Sequence, residues 1–258
     1  MESEEEARRL VAQAQAHPVL PHLVATGLSE GQHALDAGCG PGVITSVMAH
    51  RVGPSGRVVG LDLSPERLAE ARAWCAPLSQ CDFVQADIRT SGLPDASFDY
   101  VWSQFVLEYL PRPEVAVAEL LRVTRPGGRV VVSEIDGVGL FNWPMSPVVQ
   151  EGIPQFLKAL ASTGFDIHVG RKLYHLFRHA GLTDVRVHVS PLWVVAGVAD
   201  ARLVQDWSIR LQTLEPLAAP TFGGLDAYRQ FSQAYLDLLC DGDALKYSVL
   251  LVTEGRKP

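Results

Sequence analysis

The sequence is poor in cysteine and lysine and contains no long apolar run. Its 258 residues include four cysteines and four lysines. The cysteines (Cys39, Cys75, Cys81 and Cys240) form no C-x-x-C pair and have no histidine cluster beside them. We therefore expect reduced, buried thiols in a cytoplasmic protein, and neither a disulfide framework nor a metal site. No apolar run approaches the roughly 20 residues that a membrane-spanning helix needs, so no membrane span is expected.

The chain also lacks an excess of basic charge. Its formal net charge is −7, which argues against a nucleic-acid partner. The acidic first six residues are unlike a signal or transit peptide, and Ser3 with Glu6 predicts a capped helix that runs to about residue 16. The single asparagine and few lysines, beside abundant arginine, alanine, glycine and valine, are typical of a GC-rich genome, and we expect a bacterial source.

From residue 33 onward, short apolar runs alternate with helical segments. The runs predict strands at 33–36, 57–62, 82–85, 98–103 and 129–133, with helices between them. This order predicts an α/β fold, a mostly parallel sheet with helices on both faces. Past Asp136 the alternation breaks; helices are predicted at 153–162 and 171–180, and strands at 184–190 and 246–254. We expect a single domain over 1–258, with helical inserts at about 137–169 and 197–240 that cap the site.

The turn between the first strand and its helix carries Gly38, Gly40 and Gly42. Glycines at such a turn let a ligand approach the backbone closely. Their spacing is G-x-G-x-G, whereas a dinucleotide pyrophosphate requires G-x-G-x-x-G. This spacing favours S-adenosylmethionine as the ligand over NAD, and an NAD-dependent dehydrogenase is retained as an alternative.

Acidic residues follow the first three strands at the edge of the sheet where ligands bind. Asp62, after the second strand, could accept hydrogen bonds from both hydroxyls of a ribose. Asp87, after the third strand, could accept one from an adenine amino group, with Leu63 and Ile88 as apolar faces for the ring. Asp36 lies beside the glycine turn, where a sulfonium or ammonium group would stabilise its charged form.

Six segments in order resemble the class I S-adenosylmethionine-dependent methyltransferases. They are LDAGCGPG at 35–42, GLDLS at 60–64, QADI at 85–88, FDYV at 98–101, VLEYL at 106–110 and LLRVTRPGG at 120–128. The chain is most similar to the small-molecule branch, which includes ubiquinone and menaquinone C-methyltransferases and bacterial natural-product methyltransferases. The resemblance implies a Rossmann-like sheet of seven strands with the last one antiparallel. It also implies cofactor contacts from Asp36, Gly38, Gly40, Asp62, Leu63, Asp87, Ile88 and Gln104.

Methyl transfer needs alignment, a dry pocket and, where the acceptor must lose a proton, a base. The candidates for that base are Glu134, Asp136, Tyr109, His168 and His175, and no metal is expected. Members of the family often carry histidine after the fourth strand, where this chain has Glu108, Tyr109 and Leu110. A base from that position is therefore in doubt.

Aromatic residues concentrate in the inserts and in the strand between them. They are Phe141, Trp143, Phe156, Phe165, Trp193, Trp207, Phe222 and Tyr228. Because ligand pockets are largely aromatic and aliphatic, we expect methyl transfer to O, N or C of an apolar or aromatic small molecule, in quinone or secondary-metabolite biosynthesis. The alternative is a protein that binds the cofactor without transferring its methyl group, as a cyclase, a pericyclase or a regulatory module. Whether the chain forms a homodimer stays open.

Overall fold

The computed structural model describes residues 19–258, so the helix predicted at 3–16 lies outside the described residues. The helices are α1 Leu20–Ala25, α2 Val43–Val52, α3 Pro65–Trp74, α4 Pro113–Val123, α5 Pro147–Ala161, α6 Val169–His179, α7 Ala201–Ala218 and α8 Leu225–Leu239. The strands are β1 His33–Ala37, β2 Arg57–Asp62, β3 Cys81–Gln85, β4 Phe98–Gln104, β5 Thr124–Trp143, β6 Thr183–Ala196 and β7 Leu245–Arg256. Short 3₁₀ turns lie at Leu107–Tyr109 and Ala219–Phe222.

The strands form one sheet in the order β3-β2-β1-β4-β5-β7-β6. Strands β1 to β5 pair in parallel, and β7 lies antiparallel between β5 and β6. This arrangement confirms the seven-stranded, mostly parallel sheet with an antiparallel last strand. The carboxyl ends of β1 to β5 meet at one edge, which is the edge where ligands bind in open α/β sheets.

Helices cover both faces of the sheet because successive strand residues point to opposite sides. On one face, α1 and α2 bury a cluster that includes Met48, Tyr100 and Trp102. On the other face, α4 and α6 bury a second cluster that includes Leu120 and Phe177. Valine-rich β5 supplies both clusters, as expected for a strand buried on both sides.

Strand β5 is much longer than the predicted 129–133, and residues 137–143 are strand rather than the start of a helical insert. Its last residues, Phe141 to Trp143, pair with Tyr247 to Leu245 of β7 after a register shift that begins at Asp136. Gly137 and Gly139 lie at this irregularity with φ of 73° each, a conformation that glycine adopts at little cost. The pairing partner lies about a hundred residues away, so local sequence carries no signal for this extension.

Two helices contain a proline in their interior, and α5 also begins earlier than the predicted 153–162. Helix α5 begins at Pro147, where the Ser146 side chain caps the backbone N–H of Val149, and it contains Pro154. Helix α7 continues through Pro216 to Ala218. Tertiary packing outweighs the proline penalty here, because the apolar faces of both helices are buried against α8.

Helices α5, α7 and α8 pack against one another in a separate cluster, called here the helical layer. Lys246, at the start of β7, anchors this layer. Its buried Nζ donates to the carbonyl oxygens of Gly197 (2.6 Å), Asp241 (2.9 Å), Leu238 (3.0 Å) and Leu239 (3.3 Å). Because α8 ends at Leu239, the ammonium lies at the negative end of the helix dipole, and it is a second donor to the carbonyls of Leu238 and Leu239. Burial lowers the pKa of Lys246.

Replacing Lys246 with methionine should lower the free energy of unfolding by about 2–3 kcal/mol, because four carbonyl oxygens lose a charged hydrogen-bond donor. Urea denaturation measures this change. The matched control is Lys158→Met, which alters an exposed lysine of the same helical layer and should change stability by less than about 0.5 kcal/mol. Equal effects of the two substitutions would contradict the anchoring role of Lys246.

The structure tests the expectations about membrane spans and cysteine burial. Between residues 19 and 258, no helix combines the length and the apolar character required to span a bilayer. All four cysteines are free thiols. Cys39 and Cys75 are buried as expected, Cys81 is half-buried, and the expectation of a buried thiol is wrong for Cys240, which is exposed.

Candidate active site

A cavity of about 460 Å³ opens at the carboxyl ends of the parallel strands. Its wall combines the glycine turn after β1, the ends of β2 and β4, the segment after β3 and a few residues from later elements. The lining residues beyond the glycine turn are Val43, Ile44, Leu61, Asp62, Leu63, Arg67, Ala86, Asp87, Ile88, Arg89, Gln104, Phe105, Val106, Glu108, Tyr109, Leu110, Ile135, Val138, Phe165, Leu192 and Arg210. The volume lies within the usual range of small-molecule pockets.

The glycines of the turn act in different ways. Gly38 has a φ of 84°, and a Cβ there would lie 2.2 Å from Cγ2 of Val106, so a side chain would displace the segment after β4. Gly40 has a φ of 51°, and no atom lies within 4 Å of the Cβ position. Both residues line the cavity, and at Gly40 a ligand can reach the backbone.

The carboxylate of Asp62 fixes the turn. Its Oδ2 accepts the backbone N–H of Gly40 at 2.8 Å, and its Oδ1 accepts that of Ser64 at 2.9 Å. One side chain thus joins the glycine turn to the start of α3. Each carboxylate oxygen can accept more than one hydrogen bond, so Asp62 keeps acceptor capacity towards the cavity that it lines.

Asp36 lies behind the cavity wall rather than on it. Its side chain is buried, and its Oδ2 accepts a hydrogen bond of 2.6 Å from the hydroxyl of Thr45. Burial, opposed by that hydrogen bond and assisted by the charge of Asp62, raises the pKa of Asp36 to about 7. Asp36 is therefore a buried acid beneath the glycine turn whose protonation changes near neutral pH.

The residues expected around the adenine lie on the cavity wall, and so does Gln104, for which a cofactor contact is expected. The three residues for the adenine are Asp87, Ile88 and Leu63. Asp87 also bonds Arg89, whose Nε lies 2.9 Å from Oδ1, and this hydrogen bond lowers the pKa of the Asp87 carboxyl. An adenine amino group would share Asp87 with that arginine.

Of the five candidate bases, only Tyr109 lies on the cavity wall, where its ring packs edge-on against Phe165 at 5.2 Å. Asp136 is held by Arg171, whose Nε lies 2.6 Å from Oδ1, and His168 Nδ1 lies 3.5 Å from the same oxygen. These three residues form a cluster at the start of α6, away from the wall.

His175 is exposed on α6 and stacks on His179 with ring centroids 3.8 Å apart. Glu134 is buried behind the wall, where its Oε1 accepts the backbone N–H groups of Val106 (2.9 Å) and Leu107 (2.7 Å). The structure thus brings neither residue into the cavity.

Sequence reasoning missed several wall residues. Of the eight aromatic residues singled out from the sequence, only Phe165 lines the cavity. Phe156, Trp207 and Tyr228 lie in the core of the helical layer, and Trp143 is exposed. The apolar wall residues that come after β4 are instead Phe105, Val106, Leu110, Ile135, Val138, Phe165 and Leu192. Glu108 and Arg210 add polar groups, and the unusual glutamate after β4 was the one signal available for Glu108.

Comparisons with known proteins agree with this geometry. A family model described as a methyltransferase domain matches residues 35–132, which include the glycine turn and β1 to β4. The demethylmenaquinone methyltransferase of Staphylococcus aureus is 30% identical over 179 residues, which cover 62% of this chain and 72% of that enzyme. The chain belongs to the class I S-adenosylmethionine-dependent methyltransferases. Their methyl donor, S-adenosylmethionine, is therefore its cofactor.

Two further similarities extend beyond the matched domain. An uncharacterised 37.1 kDa protein of transposon TN4556 from Streptomyces fradiae is 32% identical over 223 residues, which cover 79% of this methyltransferase; the chain spans 63% of that protein's length. The phosphoethanolamine N-methyltransferase 2 of Haemonchus contortus, solved with S-adenosylmethionine, shares the fold with a TM-score of 0.58 at 18% identity. The superposition covers 93% of this chain and 52% of that one.

The cavity of this methyltransferase fits its cofactor. The backbone at Gly40 is open to a ligand, and the Asp62 carboxylate stands at the end of β2 where a ribose requires acceptors. Leu63 and Ile88 add apolar surface beside Asp87. The wall from the glycine turn to Gln104 is called here the cofactor end, and the wall from Phe105 to Arg210 the acceptor end.

Proposed function

We propose that this methyltransferase transfers the methyl group of S-adenosylmethionine to an O, N or C atom of an apolar or aromatic small molecule. The observation that carries the proposal is the composition of the acceptor end, where seven apolar side chains surround a few polar ones. Such walls are typical of pockets for ligands with substantial hydrophobic surface. The similarity to a demethylmenaquinone methyltransferase supports a place in quinone or secondary-metabolite biosynthesis.

At the cofactor end we assign contacts to seven residues of the wall and one residue behind it. Asp62 would accept the ribose hydroxyls, Asp87 the adenine amino group, and Leu63 and Ile88 would contact the ring. Gln104 would contact the cofactor from the end of β4. The backbone at Gly38 and Gly40 would lie against the cofactor, and Asp36 would act through its charge from beneath the turn.

The chain contributes to catalysis mainly through alignment and the exclusion of water. When bound, S-adenosylmethionine supplies a methyl group already activated by a sulfonium centre. The apolar acceptor end would hold the acceptor atom in line and keep the reacting groups dry. The helical layer supports this role because Arg210 of α7 reaches the wall of the cavity, so we propose that the inserts cap the site. The free thiols support a cytoplasmic location.

Incubation with radiolabelled S-adenosylmethionine tests the proposal. The acceptors should include naphthoquinols, phenols, aromatic amines and, for comparison, polar amines and sugars of similar size. We expect label in the aromatic products, with an equal amount of S-adenosylhomocysteine released. Equal transfer to polar acceptors would contradict an apolar substrate. Conversion of an acceptor without release of S-adenosylhomocysteine would instead support a cyclase-type activity.

A further inference from the structure

Two buried carboxyl groups lie together at the acceptor end. Glu108 belongs to the 3₁₀ turn after β4, lines the cavity and is only 4% exposed. Glu134 stands behind it, in the middle of β5, and is fully buried. Two elements fix the backbone of this 3₁₀ turn. Glu134 accepts the N–H groups of Val106 and Leu107, and the carbonyl of Glu108 accepts the N–H of Asp166 at 2.8 Å.

Two carboxylates this close and this dry cannot both remain charged at neutral pH. Burial raises the pKa of Glu134 well above its ordinary value, and the neighbouring charge of Glu108 raises it further. Oε1 of Glu134 is occupied by the two backbone donors, whereas no described donor bonds its buried Oε2. Oε2 is therefore the oxygen of Glu134 that is left to carry a proton shared by the two carboxyl groups.

We infer that Glu108 and Glu134 are a proton-sharing pair in which Glu108 takes the proton of a hydroxyl acceptor and Glu134 positions Glu108. The inference rests on the proposed function and narrows it to acceptors with an acidic O–H group, such as phenols and quinols. The observation behind it is one carboxyl on the cavity wall, backed by a second that is fixed to the backbone of the same turn.

The proton balance of this role is simple. The acceptor oxygen forms its bond to the methyl carbon while the sulfur–carbon bond breaks, and that electron pair stays on sulfur. The hydroxyl proton goes to the carboxylate of Glu108. One positive charge on sulfur and one negative charge on Glu108 thus cancel, which a dry pocket favours.

Other titratable groups lie on the elements around Glu108 and Glu134. They are Tyr109 on the same turn, Glu114 on α4, Asp136 on β5, Asp166 before α6, His168, Arg171 and Lys172 at the start of α6, and Arg210 on α7. Among charged neighbours, Glu108 has the largest influence on the pKa of Glu134. The pair should therefore titrate as a unit.

Urea denaturation between pH 5 and 9 tests the pair without any substrate. A carboxyl whose pKa is raised in the folded state contributes stability at low pH and loses it as the pH rises. In the wild type this loss should continue to a pH at least one unit higher than in E108Q, which removes the neighbouring charge. E134Q should abolish this decrease of stability with rising pH. The E108Q/E134Q double variant should show no larger decrease than E134Q alone. Independent, additive effects of the two substitutions on the pH dependence of stability would contradict the shared proton.

The matched control is Glu114→Gln, an exposed glutamate of α4, which should leave the pH profile of stability unchanged. E134Q keeps an oxygen for the two backbone N–H groups and offers an N–H to Glu108, so it mimics the protonated acid. Glu134→Ala removes both the acceptor oxygen and the donor to Glu108. This contrast separates positioning by Glu134 from a merely structural role.

Kinetics with a hydroxyl acceptor from the methyl-transfer screen test the chemical role. E108Q should lower kcat by about 10²–10⁴-fold and remove the acidic limb of the pH–rate profile. The Kd for S-adenosylhomocysteine should stay within twofold. Glu134→Ala should lose at least a hundredfold in kcat, and E134Q less than tenfold.

An active wild type with unchanged kcat in E108Q would overturn the role of Glu108 and leave the proposed function intact. A wild type that methylates no acceptor, despite a coupled titration of the two carboxyls, would overturn both the proposed function and the proton-accepting role. The shared proton itself would then stand.

Discussion

Replacing Asp62 with alanine should weaken the binding of S-adenosylhomocysteine by about a hundredfold to a thousandfold. Charge-assisted hydrogen bonds to both ribose hydroxyls contribute about 1.5–3 kcal/mol each. The same substitution frees the backbone N–H groups of Gly40 and Ser64, which the carboxylate now holds. The turn would therefore lose its bound conformation as well as a contact. Isothermal titration calorimetry measures the change in Kd.

Asp82→Ala is the matched control for this prediction. Asp82 lies on the neighbouring strand β3, where it forms an exposed ion pair with Arg57. Such surface pairs contribute little, so the affinity for S-adenosylhomocysteine should remain within twofold. If Asp62→Ala bound the ligand as tightly as Asp82→Ala does, the assignment of the cofactor end would be wrong.

Replacing Asp36 with asparagine should stabilise the protein at pH 8 by about 4 kcal/mol in the absence of cofactor. The pKa of Asp36 is raised from 3.8 to about 7 by burial, and each pKa unit corresponds to about 1.4 kcal/mol. The folded state binds this proton more tightly than the unfolded state does. The wild type therefore loses stability as the pH rises from about 4 to 7, whereas asparagine, which has no proton to lose, removes that loss.

Urea denaturation of both proteins across this pH range checks the prediction. The two stabilities should converge near pH 4 and diverge as the pH rises, since other titrating groups cancel in the difference. Asparagine can still accept the hydrogen bond from Thr45. A constant difference between the proteins would contradict the raised pKa of Asp36.

The same substitution should narrow the preference for S-adenosylmethionine over S-adenosylhomocysteine by about tenfold, because only the former carries a cation that favours ionised Asp36. Calorimetry in buffers with different ionisation enthalpies should also detect proton release when S-adenosylmethionine binds near pH 7. The variant should release none from this position.

The location of the wall residues at the cofactor end could be predicted from the sequence because they stand at or just after strand ends, whereas their contacts with the cofactor stay a prediction. The glycine turn follows β1, Asp62 is the last residue of β2, and Asp87 comes shortly after β3. The carboxyl ends of these parallel strands meet at one edge. Asp36 lies beside the glycine turn as predicted, but its side chain points away from the cavity, towards Thr45. Alternation along a strand assigns a face, and it does not distinguish a wall residue from one behind the wall.

The acceptor end could not be predicted, since tertiary contacts assemble it. Leu192 of β6 and Arg210 of α7 reach the cavity from elements far along the chain. Glu134 is a candidate base in the sequence because the predicted strand ends at residue 133. Only the structure shows that β5 continues past Glu134 and that its Oε1 accepts two backbone N–H groups of the turn after β4. The strand at 137–143 forms because it pairs with β7, which is distant in the sequence, so local propensity does not predict it.

Calorimetric titration of the wild type with S-adenosylhomocysteine and, separately, with NADH tests the central claim most directly. The glycine turn and Asp62 predict one site per chain with micromolar or tighter affinity for S-adenosylhomocysteine, which Asp62→Ala weakens at least a hundredfold, and no binding of NADH. Tight binding of NADH with none of S-adenosylhomocysteine would contradict the account at the turn on which it rests.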